Sequence, residues 1–291
     1  MIELLAPAKL NLGLEILGRR DDGFHEIRSV MAPVSLVDTV RLARPGDGRL
    51  TVAGHPVSAT DNLVRDAMSL ASSGWGIELV DASLTKRIPP SSGLGGGSSD
   101  AAATLLGMAH LFGRDPASLG SLAACLGSDV SFFLLGGSAL VSGRGEVVTA
   151  LPAHAPLHAV IVVPGVSIPR KTATMYASLA TGDLTDGSMV DVIASDLPAI
   201  PRHREALPNA FRRALYDRLP ELGELARTIV ATTSLPANLT GAGPAHYVLC
   251  TDPDHAASVA AALRRALAGG GVSVYEVRTV AGVDIQEVAD A

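Results

Sequence analysis

Four glycines crowd the stretch Pro89-Pro90-Ser91-Ser92-Gly93-Leu94-Gly95-Gly96-Gly97-Ser98-Ser99-Asp100, which runs directly into the helix-forming residues 101–111. Glycine lets a backbone approach a ligand and take positive φ, and the start of a helix offers unpaired N–H groups to an anion. Such a loop suits phosphate. No Lys-Ser/Thr pair follows at P-loop spacing, and the G-x-G-x-x-G register of a dinucleotide fold is absent. The bland alternative is a flexible connector that caps a helix.

Phosphoryl transfer also requires a group to deprotonate or position an acceptor hydroxyl and a cation to offset developing charge. Asp129 and Lys9 are candidates. Asp129 lies in Leu126-Gly127-Ser128-Asp129-Val130, just before Phe132-Phe133-Leu134-Leu135, so it stands at the head of a buried element. On residue type alone an N-cap role ranks ahead of catalysis. Lys9 falls in the first strand, where a lysine can simply snorkel from a sheet edge. Phe24-His25 follows the turn Asp21-Asp22-Gly23 in a chain only 3% aromatic. The pair could stack on and hydrogen-bond a base, or Phe24 could pack inward beside a solvated His25. His154 and His158 have metal-pair spacing, but Pro156 between them disfavours a helix, so both read as linker residues.

The elements that must position these groups follow from the hydrophobic pattern. Leu10, Leu12, Leu14 and Ile16 alternate with Asn11, Gly13 and Glu15, which predicts a half-buried strand. Further strands over 30–36, 39–42 and 50–52 predict an antiparallel sheet. Asp61 is the expected N-cap of a helix bearing Leu63, Ala67 and Leu70. A strand over 77–88, the glycine loop, helices over 101–111 and 119–126, and strands over 138–141 and 147–151 complete an N-terminal domain, 1–153. Residues 152–156 form the expected linker to a C-terminal domain, 154–291. That domain opens with a strand over 157–163 and a helical, proline-interrupted region. The loop Thr240-Gly241-Ala242-Gly243-Pro244, a strand, a helix over 253–267 and a last strand over 272–277 close it, an α+β arrangement.

The 291 residues are 47% hydrophobic and 18% charged, with a net charge of −6. That balance describes a globular chain and supplies no global positive field for nucleic acid or an anionic membrane. Cys125 and Cys250 alone exclude a disulfide framework and a cysteine-ligated zinc site, and read as reduced core thiols. The N-terminus lacks a signal-peptide pattern, so a cytoplasmic location is expected. Residues 146–170 carry too many prolines for a membrane span.

Together, Pro7-Ala8-Lys9-Leu10-Asn11-Leu12, Arg19-Arg20-Asp21-Asp22-Gly23-Phe24-His25-Glu26, Asp61-Asn62-Leu63-Val64, the loop 88–103, Leu126-Gly127-Ser128-Asp129-Val130 and Thr240-Gly241-Ala242-Gly243-Pro244 resemble the GHMP kinases over nearly the whole chain. The Asp-Gly-aromatic-His stretch resembles the branch whose acceptor alcohol carries cytidine diphosphate. The resemblance implies an α+β, two-domain GHMP kinase fold, with a ribosomal-protein-S5-like N-terminal domain and a ferredoxin-like C-terminal domain. It implies transfer of the γ-phosphoryl of ATP to the 2-hydroxyl of a methylerythritol moiety, in the non-mevalonate isoprenoid route. Carried over by position, Asp129 is the base and Lys9 the neighbouring cation. Gly93, Leu94, Gly95, Gly96, Gly97, Ser98 and Ser99 hold the triphosphate, Pro89 joins the ATP site, and Asn62 and Lys86 lie near adenine. Ser99 is the expected Mg2+ ligand, directly or through water. Asn11, Asp129, Gly241 and Gly243 contact the acceptor, His25 addresses the cytosine edge, and Phe24 and Tyr176 flank its ring.

Three positions depart from the family pattern. Phe24 stands where tyrosine is usual, Arg170-Lys171 is an apparent insertion before Thr172-Ala173-x-x-Tyr176, and Ala245-His246-Tyr247 follows the C-terminal loop in place of threonine and apolar residues. The alternatives are a GHMP kinase for another small alcohol, homoserine or a sugar, and a non-catalytic ATP-binding sensor. Monomer and homodimer are both compatible with the sequence.

Overall fold

Two sheets with helices packed on them carry the chain, an α+β arrangement as expected; the computed structural model describes residues 1–202 and 205–287. The first part contains β1 (Ile2–Arg19), β2 (His25–Ala43), β3 (Leu50–Gly54), α1 (Leu63–Trp75), β4 (Asp81–Lys86), α2 (Gly96–Leu111), α3 (Gly120–Leu126), α4 (Ser128–Leu135), β5 (Ala139–Gly143) and β6 (Val147–Ala150). The second contains β7 (His158–Pro164), α5 (Lys171–Ala177), α6 (Ser188–Ser195), α7 (Arg212–Arg218), α8 (Pro220–Thr233) and β8 (Asn238–Leu239). It ends with β9 (His246–Cys250), α9 (Pro253–Ala266), β10 (Val272–Arg278) and β11 (Asp284–Glu287).

β11, β1, β2, β4 and β3 follow one another across a seven-stranded sheet, in which β5 pairs with the first part of β2 and then with β6. The other sheet runs β10, β7, β9, β8. The two are stitched together at the C-terminal end: Val280 N–H donates to Pro33 O at 2.9 Å, and β11 pairs antiparallel with β1. No helix among the described residues is long and apolar enough to cross a membrane.

The alternation predicted for β1 is broken. Register shifts against β2 fall between Pro7 and Ala8, where β2 carries two extra residues, between Asn11 and Leu14, where β1 carries one, and between Ile16 and Gly18. An extra residue in one strand turns every later side chain to the opposite face. Leu14 and Ile16 therefore leave the core that Ala8, Leu10 and Leu12 share with Ile161 and Tyr247 of the second sheet, and join Leu4 in the core beneath α2. The strand is not half-buried either: Lys9, Asn11 and Glu15 are 2–3% exposed.

Other expectations need correction. The strands placed over 30–36 and 39–42 are one strand, β2. β3 pairs parallel with β4 across the α1 crossover, so the sheet is mixed; alternation alone cannot distinguish the two pairings. The N-cap of α1 is Asn62, whose side chain accepts from Val64 N–H, and not Asp61. The buried face is accordingly Val64, Ala67, Met68 and Ala71. Cys250 is buried, but Cys125 is exposed.

α2 begins inside the glycine run, after Gly95 at φ 73°. It is buried on nearly all sides and presses closely on the sheet: a Cβ on Gly107 would lie 2.7 Å from Leu42 Cδ1 and 2.9 Å from Leu4 Cδ1. Small residues at 101–103 serve the same close approach. The N-terminus of the helix is thereby fixed over β1.

Candidate active site

Between the first two register shifts of β1, Lys9 and Asn11 stand two residues apart and so share one face of the strand. The Lys9 ammonium donates to Asn11 Oδ1 at 2.5 Å, while Asn11 Nδ2 donates to Ser29 Oγ at 2.8 Å. The backbone N–H of Lys9 donates to Leu94 O, tying the strand to the glycine loop. Burial holds the Lys9 ammonium below the usual lysine range, and the Asp129 carboxylate opposes that shift. Asp129 sits in the first turn of α4.

The glycines make this assembly possible. Gly95 abuts the Lys9 side chain and Phe133, with a Cβ 3.0 and 3.1 Å from their nearest carbons. A Cβ on Gly93 would lie 2.4 Å from Thr240 O and 2.8 Å from Gly243 O, so the glycine loop and the 240–244 loop meet backbone to backbone. Thr240 Oγ1 accepts from Asn11 N–H at 3.2 Å.

A cleft of about 900 Å³ opens between these parts. Lys9, Asn11, Asn62, Lys86, Pro89, Gly93, Gly95, Gly96, Gly97, Ser98, Asp129, Tyr176 and Gly241 line it, which unites most of the expected site. Leu94 and Ser99 are fully buried behind the wall, and the Ser99 hydroxyl has no hydrogen-bond partner. Gly243 is behind Gly241, packed on Leu215.

The aromatic end differs from a simple sandwich. His25 stacks on Tyr176 with ring centroids 4.9 Å apart, and Phe211 meets Tyr176 edge-on at 5.0 Å. Burial, then the Asp129 charge, pushes the Tyr176 hydroxyl up to about 12. Phe24 is 54% exposed, with the Arg144 guanidinium 4.7 Å over its ring, and is not part of the cleft lining.

Lys86 is held in an ion-paired cluster. Its ammonium contacts Asp38 and, at 2.7 Å, Asp100. Asp38 Oδ1 also accepts from Arg87 N–H and Ile88 N–H, at 2.5 and 2.9 Å. Burial works against the Lys86 charge, but the two carboxylates outweigh it and hold its pKa above the usual lysine range. The cluster fastens the end of β4 to α2 below the glycine loop.

Lys171, Phe211 and Asp100 are among the cleft residues that the sequence expectation did not assign to the site. Lys171 falls in the apparent insertion, Asp100 closes the glycine-loop stretch without having been given a role, and Phe211 carries no local motif.

Comparison with known proteins bears on what this cleft belongs to. The model of the GHMP kinases N terminal domain matches residues 62–137, and that of the GHMP kinases C terminal matches 197–269. A 4-diphosphocytidyl-2-C-methyl-D-erythritol kinase of Dehalococcoides mccartyi is 36% identical, covering 89% of this chain and 93% of its own. One from Symbiobacterium thermophilum is 40% identical, with 88% and 92% covered. The chain belongs to the GHMP kinases, in the 4-diphosphocytidyl-2-C-methyl-D-erythritol kinase family.

Solved structures agree. A crystal structure of 4-(cytidine 5'-diphospho)-2C-methyl-D-erythritol kinase superposes with a TM-score of 0.81 at 36% identity, over 96% of this chain and all of the other. Homoserine kinase from Cytophaga hutchinsonii shares the GHMP kinase fold at a TM-score of 0.74 and 20% identity, over 98% and 97% of the two chains. The cleft thus lies in a small-molecule kinase that uses ATP.

Proposed function

We propose that the protein transfers the γ-phosphoryl group of ATP to the 2-hydroxyl of 4-diphosphocytidyl-2-C-methyl-D-erythritol, a step of the non-mevalonate isoprenoid pathway. One observation carries the reading: Lys9, Asp129 and the glycine-rich start of α2 share a single cleft, which Tyr176 also lines. Family membership supports the acceptor. A cytoplasmic location accords with this role.

Backbone N–H groups at the start of α2 have no partner within the first helical turn and would bind the phosphates, as helix N-termini do. Asp129 accepts the proton of the acceptor hydroxyl as that oxygen attacks phosphorus. Lys9, fixed by Asn11, offsets the charge that builds on the transferred group. His25 reads the cytosine edge, Tyr176 supplies a ring face, and Phe24 covers the base from outside the cleft.

Among the described residues no three His, Cys, Asp or Glu side chains form a metal cluster. That fits Mg2+ arriving with ATP, since the ion takes most of its ligands from phosphate and water. Asp129 and Ser98 are oxygen donors on the cleft wall, and the unpaired Ser99 hydroxyl lies just behind. The ion would supply charge compensation on the β- and γ-phosphate oxygens.

A coupled ADP-release assay with MgATP tests the proposal, with the cytidyl acceptor run beside homoserine, mevalonate and galactose. Release with the cytidyl compound alone is the expected result. Release with another alcohol would remove the cytidine pocket, and ATP binding without release would leave a sensor.

A further inference from the structure

Lys171 opens α5 directly after Arg170, which holds a φ of 46°. Its ammonium donates to Ser91 O at 2.9 Å and to Gly243 O at 2.6 Å. These carbonyls belong to the two loops that meet at Gly93, one leading into the glycine run and one following β8. An ammonium carries three donors, so one N–H remains for a further partner. Lys171 lines the cleft.

Charge in the cleft is unbalanced around it. Apart from Lys86 and Asp100, the charged residues lining the cleft are Lys9, Arg170 and Lys171 against Asp61 and Asp129, three cations to two carboxylates. Lys86 takes no part in that balance, because Asp38 and Asp100 already neutralise it. Burial, reinforced by the Lys9 charge, pushes the Lys171 ammonium down to about 8, with Asp129 opposing. A clasp between two carbonyls could be made by a neutral donor. A charged one in this position is favoured once an anion enters.

We propose that Lys171 is a second phosphate-binding cation of the active centre, joining the two loops and directing its third N–H at the phosphates of ATP. The inference rests on the kinase reading above and adds a residue to it. Lys171 would act in parallel with Lys9, approaching from the second sheet's side of the cleft while Lys9 approaches from β1.

The test separates charge from clasp. Affinities for adenosine and for the magnesium complex of a non-hydrolysable β,γ-imido ATP analogue are measured by calorimetry for wild type, Lys171→Gln and Lys171→Arg. Lys171→Gln should weaken the analogue by about 10- to 100-fold and leave adenosine unchanged, the scale of a hydrogen bond to a charged group. Lys171→Arg should recover much of the loss. Equal weakening of both ligands, unchanged analogue affinity in Lys171→Gln, or an Lys171→Arg variant no better than Lys171→Gln would overturn the proposal.

A further measurement covers the case in which Lys171→Gln does not fold. The groups facing Lys171 are Lys9 on β1, Asp129 on α4, and Arg170 and Tyr176 flanking or within α5. Between pH 7 and pH 9 the preference of wild type for the analogue over adenosine should fall more steeply than that of Lys171→Arg; equal slopes would overturn the assignment. Neither binding experiment uses the acceptor. If wild type binds ATP but does not phosphorylate the cytidyl compound, the proposed function fails while the Lys171 contrast still decides this inference.

Discussion

His25, the first residue of β2, stacks on Tyr176 near the end of α5, with their ring planes inclined by 29°. The contact joins the first sheet to the helical region of the second part, and Phe211 meets Tyr176 edge-on. Tyr176 and Phe211 are thus rings that line the cleft. Replacing Tyr176 by alanine should weaken binding of the cytidyl acceptor by about 1–3 kcal/mol, the scale of base–aromatic stacking, with the KM for ATP unchanged. Phe24→Ala should cost less, because its ring stands outside the lining under Arg144. Titration of the acceptor into both variants checks the order, and a larger loss for Phe24→Ala would reverse the assignment.

Asp129→Asn keeps the shape of the side chain and removes its basicity. Turnover should drop by roughly 10²–10⁴-fold, with folding and ATP binding retained. Steady-state kinetics and a thermal melt measure the two quantities. Normal turnover would take Asp129 out of the mechanism.

Lys86 is 5% exposed, and its two carboxylate partners are more deeply buried. Removing one partner of a buried ion pair leaves charge uncompensated, which typically costs about 3–5 kcal/mol. Lys86→Ala should therefore lower the unfolding free energy measured by urea denaturation by that amount, and it should also loosen the glycine loop. Asp38→Asn should do less, since the amide oxygen can still accept from Arg87 and Ile88 N–H. A Lys86→Ala variant as stable as wild type would show that the cluster contributes little.

His246 is fully buried, paired at 2.8 Å with the Tyr216 hydroxyl, and burial depresses its pKa to about 4. In the unfolded chain an imidazole titrates near 6.5. Between those values the unfolded state binds the proton and the folded state does not, so stability falls as pH drops from about 6.5 towards 4. The loss approaches about 1.4 kcal/mol per pH unit for one group. Denaturation at pH 7 and pH 5 should show a smaller difference in His246→Asn than in wild type. Equal differences would assign the acid sensitivity elsewhere.

Much was legible in the sequence because its causes are local. The run Gly93–Gly97 before a helix, the Asp-Gly-aromatic-His turn, and Gly127-Ser128-Asp129 ahead of an apolar helix each depend on neighbours a few residues away. Their residue types therefore carry the phosphate loop, the acidic residue at the head of α4 and the α+β order of elements. The family resemblance rests on the same stretches.

What the chain does with those pieces depends on contacts between residues far apart. A register shift in β1 between Asn11 and Leu14 decides that Leu10 and Leu14 face different cores, and no alternation pattern announces an extra residue in a strand. The parallel pairing of β3 with β4, the return of β11 to β1, and the salt bridges of Lys86 to Asp38 and Asp100 are likewise tertiary. So is the reach of Lys171 to the carbonyls of Ser91 and Gly243. Local chemistry chose the phosphate loop and the acid; sheet register and loop-on-loop packing determined which other side chains share their cleft.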